Sequence, residues 1–150
     1  MGEEPMVRRA SAADYDAIVN AVDPWWGRPV AAALPRLFLD HFAGSSLVAE
    51  RDGELVGFLV GFASPGRPGQ AYIHFAGVHP GCRGTGLARC LYQQFISAAR
   101  AGGQSAVRAI TSPGNHGSIR FHQAMGFTVS GPVRDYNGPG RDMMTFELAL

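Results

Sequence analysis

One stretch of this chain is more informative than any other, and it reads Val78-His79-Pro80-Gly81-Cys82-Arg83-Gly84-Thr85-Gly86-Leu87-Ala88. It follows an apolar run, residues 72–78, that is typical of a strand, and it precedes an amphipathic pattern typical of a helix. Glycines here let backbone N–H groups turn inward, because no Cβ is in the way. The first amides of a helix lack intrahelical partners and carry a partial positive charge. The stretch therefore predicts a seat for a phosphate or pyrophosphate, with Arg83 as an adjacent cation.

The spacing of the glycines argues against two common phosphate loops. A P-loop ends in Gly-Lys-Ser/Thr, which is absent here. A dinucleotide fingerprint has a small residue three places after its second glycine, whereas Arg89 stands three places after Gly86. A strand–helix turn that uses glycine only for chain reversal is the alternative to a phosphate seat.

Two motifs together suggest a family. The run Arg83–Ala88 resembles the Arg/Gln-x-x-Gly-x-Gly/Ala signature of the GNAT superfamily of N-acetyltransferases. Residues 115–127, which begin Asn-His-Gly-Ser and end in Gly-Phe, are similar to the family's Asn-x-x-Ala/Ser…Gly-Phe segment, in the correct order and spacing. The resemblance covers residues 46–133 and extends over the N-terminal third only as a general pattern.

The resemblance implies an acetyl-coenzyme A-dependent enzyme that acetylates a primary amine by direct attack in a ternary complex, with no metal. It implies that main-chain groups of Gly77 and Val78 bond the pantetheine arm and that Asn115 bonds the coenzyme arm. The pyrophosphate would be held by the amides of Gly84, Thr85, Gly86, Leu87 and Ala88, with Arg83 beside them.

The chemistry of amide formation indicates which side chains to look for. The amine must lose a proton, the developing oxyanion needs hydrogen-bond donors, and the leaving thiolate must be protonated. In the family a tyrosine commonly follows the motif Asn by seven residues and protonates the thiolate. Counting from Asn115 places His122 there, and His122 could either face the cofactor sulfur or pack under the sheet.

A base for the amine is expected on the strand before the loop. Alternation along residues 72–78 puts Tyr72 and His74 on one face. Either could take the proton, directly or through water, and the alternative is that His74 is only a polar residue on a cleft wall. The resemblance places the acceptor near Asp23, Trp25, Trp26 and Tyr136. Two tryptophans beside an aspartate could hold an ammonium by cation–π and charge contacts, or could only cap the core.

Composition bounds the remaining possibilities. The 150-residue chain has net charge +1, is 17% charged and 46% hydrophobic, and is long enough for one domain over residues 1–150. Its thirteen basic residues form no stripe, so we expect no nucleic-acid partner. No apolar run is long enough to cross a bilayer, the start lacks a hydrophobic signal core, and two cysteines imply no disulfide framework.

These features predict a cytoplasmic protein, and the abundance of Arg, Ala and Gly favours a bacterial source. The family also makes a homodimer an expectation. The acceptor is expected to be a small amine, such as an amino acid or its derivative. A protein or peptide N-acetyltransferase and a non-catalytic acyl-coenzyme A-binding module are the alternatives.

The element pattern predicts the order β-α-α-β-β-β-α-β-α-β-β, a mixed α/β sheet with helices on both faces that agrees with the GNAT fold. Asp52-Gly53 predicts a hairpin turn between strands at 46–51 and 54–62. The first helix is expected to stop near Asp23-Pro24, with a loop over residues 25–29. The second is expected over residues 30–42, with Pro35 able to break it.

Overall fold

The computed structural model describes residues 4–150, and its elements follow the predicted order. The strands of this part of the chain are β1 (Met6–Arg9), β2 (Leu47–Arg51), β3 (Glu54–Ala63), β4 (Gln70–Val78), β5 (Ala106–Thr111), β6 (Thr128–Val133) and β7 (Met143–Ala149). The helices are α1 (Tyr15–Trp26), α2 (Leu37–Phe42), α3 (Leu87–Ala101) and α4 (His116–Ala124).

The sheet is mixed, as predicted. Its strand order is β1-β2-β3-β4-β5-β7-β6. β4 and β5 pair in parallel, with Gln70–Tyr72 opposite Ala106–Arg108. Antiparallel ladders join β1 to β2, β2 to β3, β5 to β7 and β6 to β7. The mixed α/β prediction is therefore confirmed.

The chain forms two compact units. The first contains the residues up to Phe62 together with Ile73–Ala98, and the second contains Ala63–Tyr72 and Ala99–Leu150. A single domain over residues 1–150 stays a prediction. No helix found in residues 4–150 is both long and apolar enough to cross a membrane.

The core of the first unit lies under α1. Ile18, Val22 and Trp25 follow one another at helical spacing and are all buried. They pack with Leu34, Leu39 and the β2–β3 side chains Val48, Phe58 and Val60. Burying an aliphatic side chain of this size contributes about 1.5–3 kcal/mol, which is why the apolar stripe of α1 determines how that helix sits.

The prediction that α1 stops at Pro24 is wrong, because the helix continues through Trp26. It ends at Gly27, which has φ +73° and donates its N–H to the Asp23 carbonyl at 2.9 Å. A proline inside a helix costs roughly 3 kcal/mol. Burying a tryptophan removes about 150–250 Å² from water, worth about 4–6 kcal/mol, and Trp25 is only 8% exposed. The free energy gained by burying Trp25 therefore exceeds the cost of placing Pro24 inside the helix.

The second predicted helix is broken where Pro35 allowed it to be. A short 3-10 turn, Ala31–Ala33, is followed by α2 from Leu37.

The hairpin prediction is confirmed in detail: Asp52 has φ +53° and Gly53 φ +78°, the left-handed pair that a two-residue turn between twisted strands requires.

Candidate functional site

The turn between β4 and α3 has a backbone that only glycine adopts readily. Gly84 and Gly86 have φ +75° and +86°, in the left-handed region. A Cβ added at either position would meet no atom within 4 Å, so packing does not explain these glycines. The conformation of the main chain itself therefore requires them.

The amides of this turn are not used by the surrounding main chain. Among residues 4–150, no main-chain hydrogen bond outside the helices and strands is donated by the N–H groups of residues 84–88. The α-helical ladder begins with the Cys90 N–H, which donates to the Gly86 carbonyl at 2.9 Å. A cluster of available amides at the start of a 15-residue helix attracts an anion.

The Thr85 side chain braces the turn from inside. Its hydroxyl donates to the Cys82 carbonyl at 2.5 Å. Cys82 is itself 1% exposed and ends a 3-10 turn, Pro80–Cys82, whose N-cap is His79. The His79 Nδ1 accepts the Gly81 N–H at 2.9 Å, so this ring holds the loop.

Arg83 is anchored to α1. Its Nη2 donates to the Trp25 carbonyl at 2.6 Å. That carbonyl lies in the last turn of α1, where a cation is favoured. The residue is otherwise exposed, and its guanidinium has further donors for an anion. That Arg83 lies beside a bound anion stays a prediction. Its hydrogen bond to the end of α1 is a role that the sequence did not indicate.

Gly77 has a packing reason to be glycine. A Cβ there would lie 2.5 Å from Cη2 of Trp26 and 3.0 Å from Cε1 of Phe58. Trp26 also packs on Phe75, with ring centroids 4.9 Å apart. The pantetheine contacts expected at Gly77 and Val78 stay a prediction, and the close approach of Trp26 is what this structure adds.

The side chains that the sequence suggested for binding an ammonium make structural contacts instead. One Asp23 carboxylate oxygen accepts the N–H groups of Val30 and Ala31 at 2.7 and 2.9 Å, and so caps the 3-10 turn. Trp25 is buried, stacks on Phe58 at 6.1 Å and meets the His79 ring edge-on. These contacts favour the core-capping alternative for Trp25, and acceptor binding by Asp23, Trp25 and Trp26 stays a prediction.

His74 is held in one tautomer. Its Nε2 lies 2.6 Å from the Ala33 carbonyl, and the ring stacks on Phe38 at 3.9 Å. Because a carbonyl only accepts, Nε2 carries the proton and a neutral ring has its lone pair on Nδ1. Burial lowers the pKa of His74, partly offset by this hydrogen bond. This lowered pKa favours the neutral ring, the form that a base needs.

In the second unit, Asn115 begins α4. Its side-chain oxygen accepts the Ser118 N–H at 3.2 Å, and its amide nitrogen donates to Thr111 Oγ1 at 3.2 Å. Capping of this kind is worth about 1 kcal/mol. The side chain is exposed. A bond from Asn115 to the coenzyme stays a prediction beside this observed role.

His122 is a buried ring in the second unit. It is 5% exposed, stacks on Phe146 at 3.9 Å, and lies 2.8 Å through Nδ1 from the Ser118 carbonyl. Burial lowers the pKa of His122, so the neutral form with hydrogen on Nδ1 is favoured. An imidazolium that donates a proton is disfavoured by these surroundings, and the acid role stays a prediction.

A cavity of about 290 Å³ lies in the second unit beside Tyr72 and Tyr136, which the sequence had singled out. Arg67 and Arg108 also line it, and sequence reasoning missed both. Arg108 donates to the Glu147 carboxylate at 2.6 Å across the β5–β7 ladder. Burial, with a smaller contribution from Tyr136, raises the pKa of Tyr72 to about 12, so Tyr72 is a phenol and not a base at neutral pH.

Tyr136 is presented by a braced loop between β6 and β7. The Asp142 carboxylate accepts the Asp135 N–H at 2.9 Å, and the Asp135 carboxylate accepts the Gly140 N–H at 2.8 Å. Tyr136 itself is 51% exposed. Both carboxylates therefore hold the loop in shape and leave the ring of Tyr136 at the surface.

Within residues 4–150, no cluster of three or more His, Cys, Asp or Glu side chains could hold a metal ion.

Comparisons with known proteins agree with the two motifs. The model of the Acetyltransferase (GNAT) family matches residues 15–127. The L-methionine sulfoximine/L-methionine sulfone acetyltransferase of Pseudomonas aeruginosa is 32% identical over 124 residues, covering 79% of this chain and 72% of that protein.

The L-2,4-diaminobutyric acid acetyltransferase of Nocardia farcinica is 33% identical over 89 residues, which are 59% of this chain and 46% of that enzyme. The chain thus spans about half the length of the diaminobutyric acid acetyltransferases that it matches. In fold it is similar to the Paenibacillus lautus diaminobutyrate acetyltransferase in complex with its substrate and coenzyme A. The TM-score is 0.78 at 21% identity, over 99% of this chain and 96% of that one.

Proposed function

The chain belongs to the acetyltransferase (GNAT) family, and on that premise we propose that it is an acetyl-coenzyme A-dependent N-acetyltransferase. The acceptor is a primary amine of a small molecule, and the acetyl group moves by direct attack while both substrates are bound. A cytoplasmic location and a homodimer stay predictions.

The observation that carries this proposal is the loop of residues 83–88. Two left-handed glycines lie just before α3, and the amides of residues 84–88 have no main-chain partner outside the helix within residues 4–150. This donor set fits a diphosphate. Acetyl-coenzyme A would supply the acetyl group as an activated thioester, and the loop would hold its diphosphate with Arg83 alongside.

His74 is the residue that we propose as the base. Its Nε2–H is tied to the Ala33 carbonyl, so the Nδ1 lone pair is the atom that takes the amine proton, directly or through water. Burial lowers the pKa of His74 from the ordinary histidine value, and this favours the neutral ring. Tyr72, one step earlier on the same face of β4, stays protonated and can only donate or accept a hydrogen bond.

The relatives favour an amino-acid acceptor. Those named above are described as acting on diaminobutyric acid and on methionine sulfoximine or sulfone, which are small amino acids and derivatives. We infer an acceptor of this class for the chain. A non-catalytic acyl-coenzyme A-binding module is the second candidate, because the residue at the position of the family's tyrosine is a buried, neutral His122.

Two measurements separate these functions. Calorimetric titration with coenzyme A tests the loop, and release of coenzyme thiol from acetyl-coenzyme A tests turnover with an amine panel. The panel contains 2,4-diaminobutyrate, methionine sulfone, 1,3-diaminopropane and a peptide with a free N-terminus. Binding with turnover of a small amine supports the proposal, and binding without turnover of any amine indicates the module. Turnover of the peptide alone indicates a protein-modifying enzyme, and absence of binding by a folded sample refutes all three.

A further inference from the structure

The cavity in the second unit has the chemistry of a site for an anion. Two arginines, Arg67 and Arg108, line it, and no Asp or Glu is among the described residues that do so. Ser64, Tyr72, Tyr136 and Thr145 carry hydroxyl groups and also line it, and the Thr145 hydroxyl donates to the Ser130 carbonyl at 3.5 Å. The volume of about 290 Å³ is at the lower end of ligand pockets, which suits a molecule of amino-acid size.

Arg108 is oriented by its cross-strand neighbour. It faces Glu147 in the β5–β7 register and donates one Nη1–H to that carboxylate at 2.6 Å. A guanidinium has five N–H donors, so one bond to Glu147 leaves others for a second acceptor. Arg108 is the register partner of Tyr72 in the parallel β4–β5 pair, and both residues line the cavity.

Arg67 is positioned by a closed turn. The Ser64 N–H donates to the Gln70 carbonyl at 2.8 Å, and the Gln70 N–H donates to the Arg67 carbonyl at 3.1 Å. The side chain is exposed and makes no ion pair with any described residue. A second cation without an internal counter-ion is thus presented to the same cavity.

We propose that this cavity is a carboxylate subsite: Arg67 and Arg108 bind the α-carboxylate of a free amino-acid acceptor, with the Tyr72 and Tyr136 hydroxyls as further donors. This inference rests on the proposed function, because it selects amino acids from the wider class of small amines. Planar guanidinium groups match carboxylates in geometry as well as charge, which is why two arginines favour this ligand.

The test compares two acceptors that differ only in the carboxylate, 2,4-diaminobutyrate and 1,3-diaminopropane. We expect the wild-type enzyme to prefer the amino acid. Arg67→Gln and Arg108→Gln should each lower kcat/KM for 2,4-diaminobutyrate by roughly 10- to 100-fold, mainly through KM, since hydrogen bonds to charged groups are of that strength. The kcat/KM for 1,3-diaminopropane should not fall. Equal wild-type constants for the two acceptors, or variants that lower both alike, would overturn the subsite.

Two control variants separate recognition from structure. Glu147→Gln breaks the same ion pair as Arg108→Gln but keeps the guanidinium, so KM for 2,4-diaminobutyrate should stay equal or fall. A rise matching that of Arg108→Gln would show that only the cross-strand pair matters. Arg100→Gln removes an equal charge from the exposed end of α3 and should change neither acceptor.

The subsite and the proposed function fail in different ways. Coenzyme A titration reports on the loop alone, and turnover restricted to amines without a carboxylate keeps the enzyme but refutes the subsite. If no acceptor is turned over, titration of 2,4-diaminobutyrate into the coenzyme A-loaded protein decides. Binding that weakens roughly tenfold or more in Arg67→Gln supports the subsite, and undetectable binding to the wild type overturns it.

Discussion

The glycine loop of residues 83–88 and helix α4 carry the two motifs that predicted the family, yet the structure uses them in opposite ways. In the loop, two glycines adopt left-handed backbone angles, and the main-chain amides of residues 84–88 are left without main-chain partners outside the helix, among the described residues. In α4, the Asn115 side chain caps its own helix and the His122 ring is buried against Phe146. The conformation of the backbone can be predicted from local sequence, whereas the use of a side chain depends on what packs against it.

Two histidines make the same comparison more sharply. His74 and His122 each stack on a phenylalanine with centroids 3.9 Å apart, and each has one ring nitrogen against a carbonyl. The bonded nitrogen is Nε2 in His74 and Nδ1 in His122, so the two neutral rings have opposite tautomers. His74 is half-buried on β4, while His122 is 5% exposed. Similar surroundings therefore leave a different ring nitrogen without hydrogen in each neutral histidine, Nδ1 in His74 and Nε2 in His122.

The largest effect is expected at the loop. Gly86→Val puts a β-branched residue at φ +86° and should abolish coenzyme A binding, measured by calorimetry, because the amides can no longer turn outward. Gly103→Val is the matched control, since Gly103 has φ +82° with no atom within 4 Å of an added Cβ, and it lies after α3. Both should lower Tm similarly, and only Gly86→Val should lose binding. Equal coenzyme A binding by both variants would contradict a binding site formed by the main-chain amides of this loop.

The next effect separates the histidines. His74→Gln can keep the donor to the Ala33 carbonyl while removing the base, and should lower kcat by roughly 10²–10⁴. His122→Phe keeps the stacking on Phe146 and should change kcat less than about threefold, because a buried neutral ring is a poor proton donor. A fall of roughly 10² or more in His122→Phe would restore this residue as the acid and reverse the comparison.

A smaller effect concerns the close approach at Gly77. Gly77→Ala places a Cβ 2.5 Å from Trp26 and should lower the free energy of unfolding by about 1–3 kcal/mol, measured by urea denaturation. Gly117→Ala, in α4 with no atom within 4 Å, should change stability by less than about 1 kcal/mol, in the stabilising direction. A Gly77→Ala variant as stable as the wild type would show that Trp26 can move aside.

The smallest effect is the pH dependence of stability. Burial lowers the folded-state pKa of both His74 and His122, so the unfolded chain binds more protons just below its own histidine pKa of about 6.5. Their contribution to stability is full above that pH and is lost as the pH falls toward the folded pKa values. Tm should therefore drop on acidification, and less so in His122→Phe. Parallel Tm profiles for the two proteins would show that His122 is not buried in its neutral form.

Elements governed by local chemistry were predictable. The Asp52-Gly53 hairpin, the glycine loop and the order of strands and helices depend on residues adjacent in sequence, and all three are found. The end of α1 was not predictable from Pro24, because the burial of Trp25 depends on Phe58 in a distant strand. Likewise, the proximity of Asp23 to the Val30 and Ala31 amides follows from the path of the chain after Gly27.

From its sequence alone this chain determines where its backbone turns and which stretches are strand or helix, because glycine, proline and apolar spacing act over a few residues. Tertiary packing alone decided which tautomer each histidine adopts, that Asp23 serves as a cap, and that Arg67 and Arg108 line one cavity. Those outcomes depend on desolvation and on contacts between residues far apart in the chain, and no short-range pattern records them.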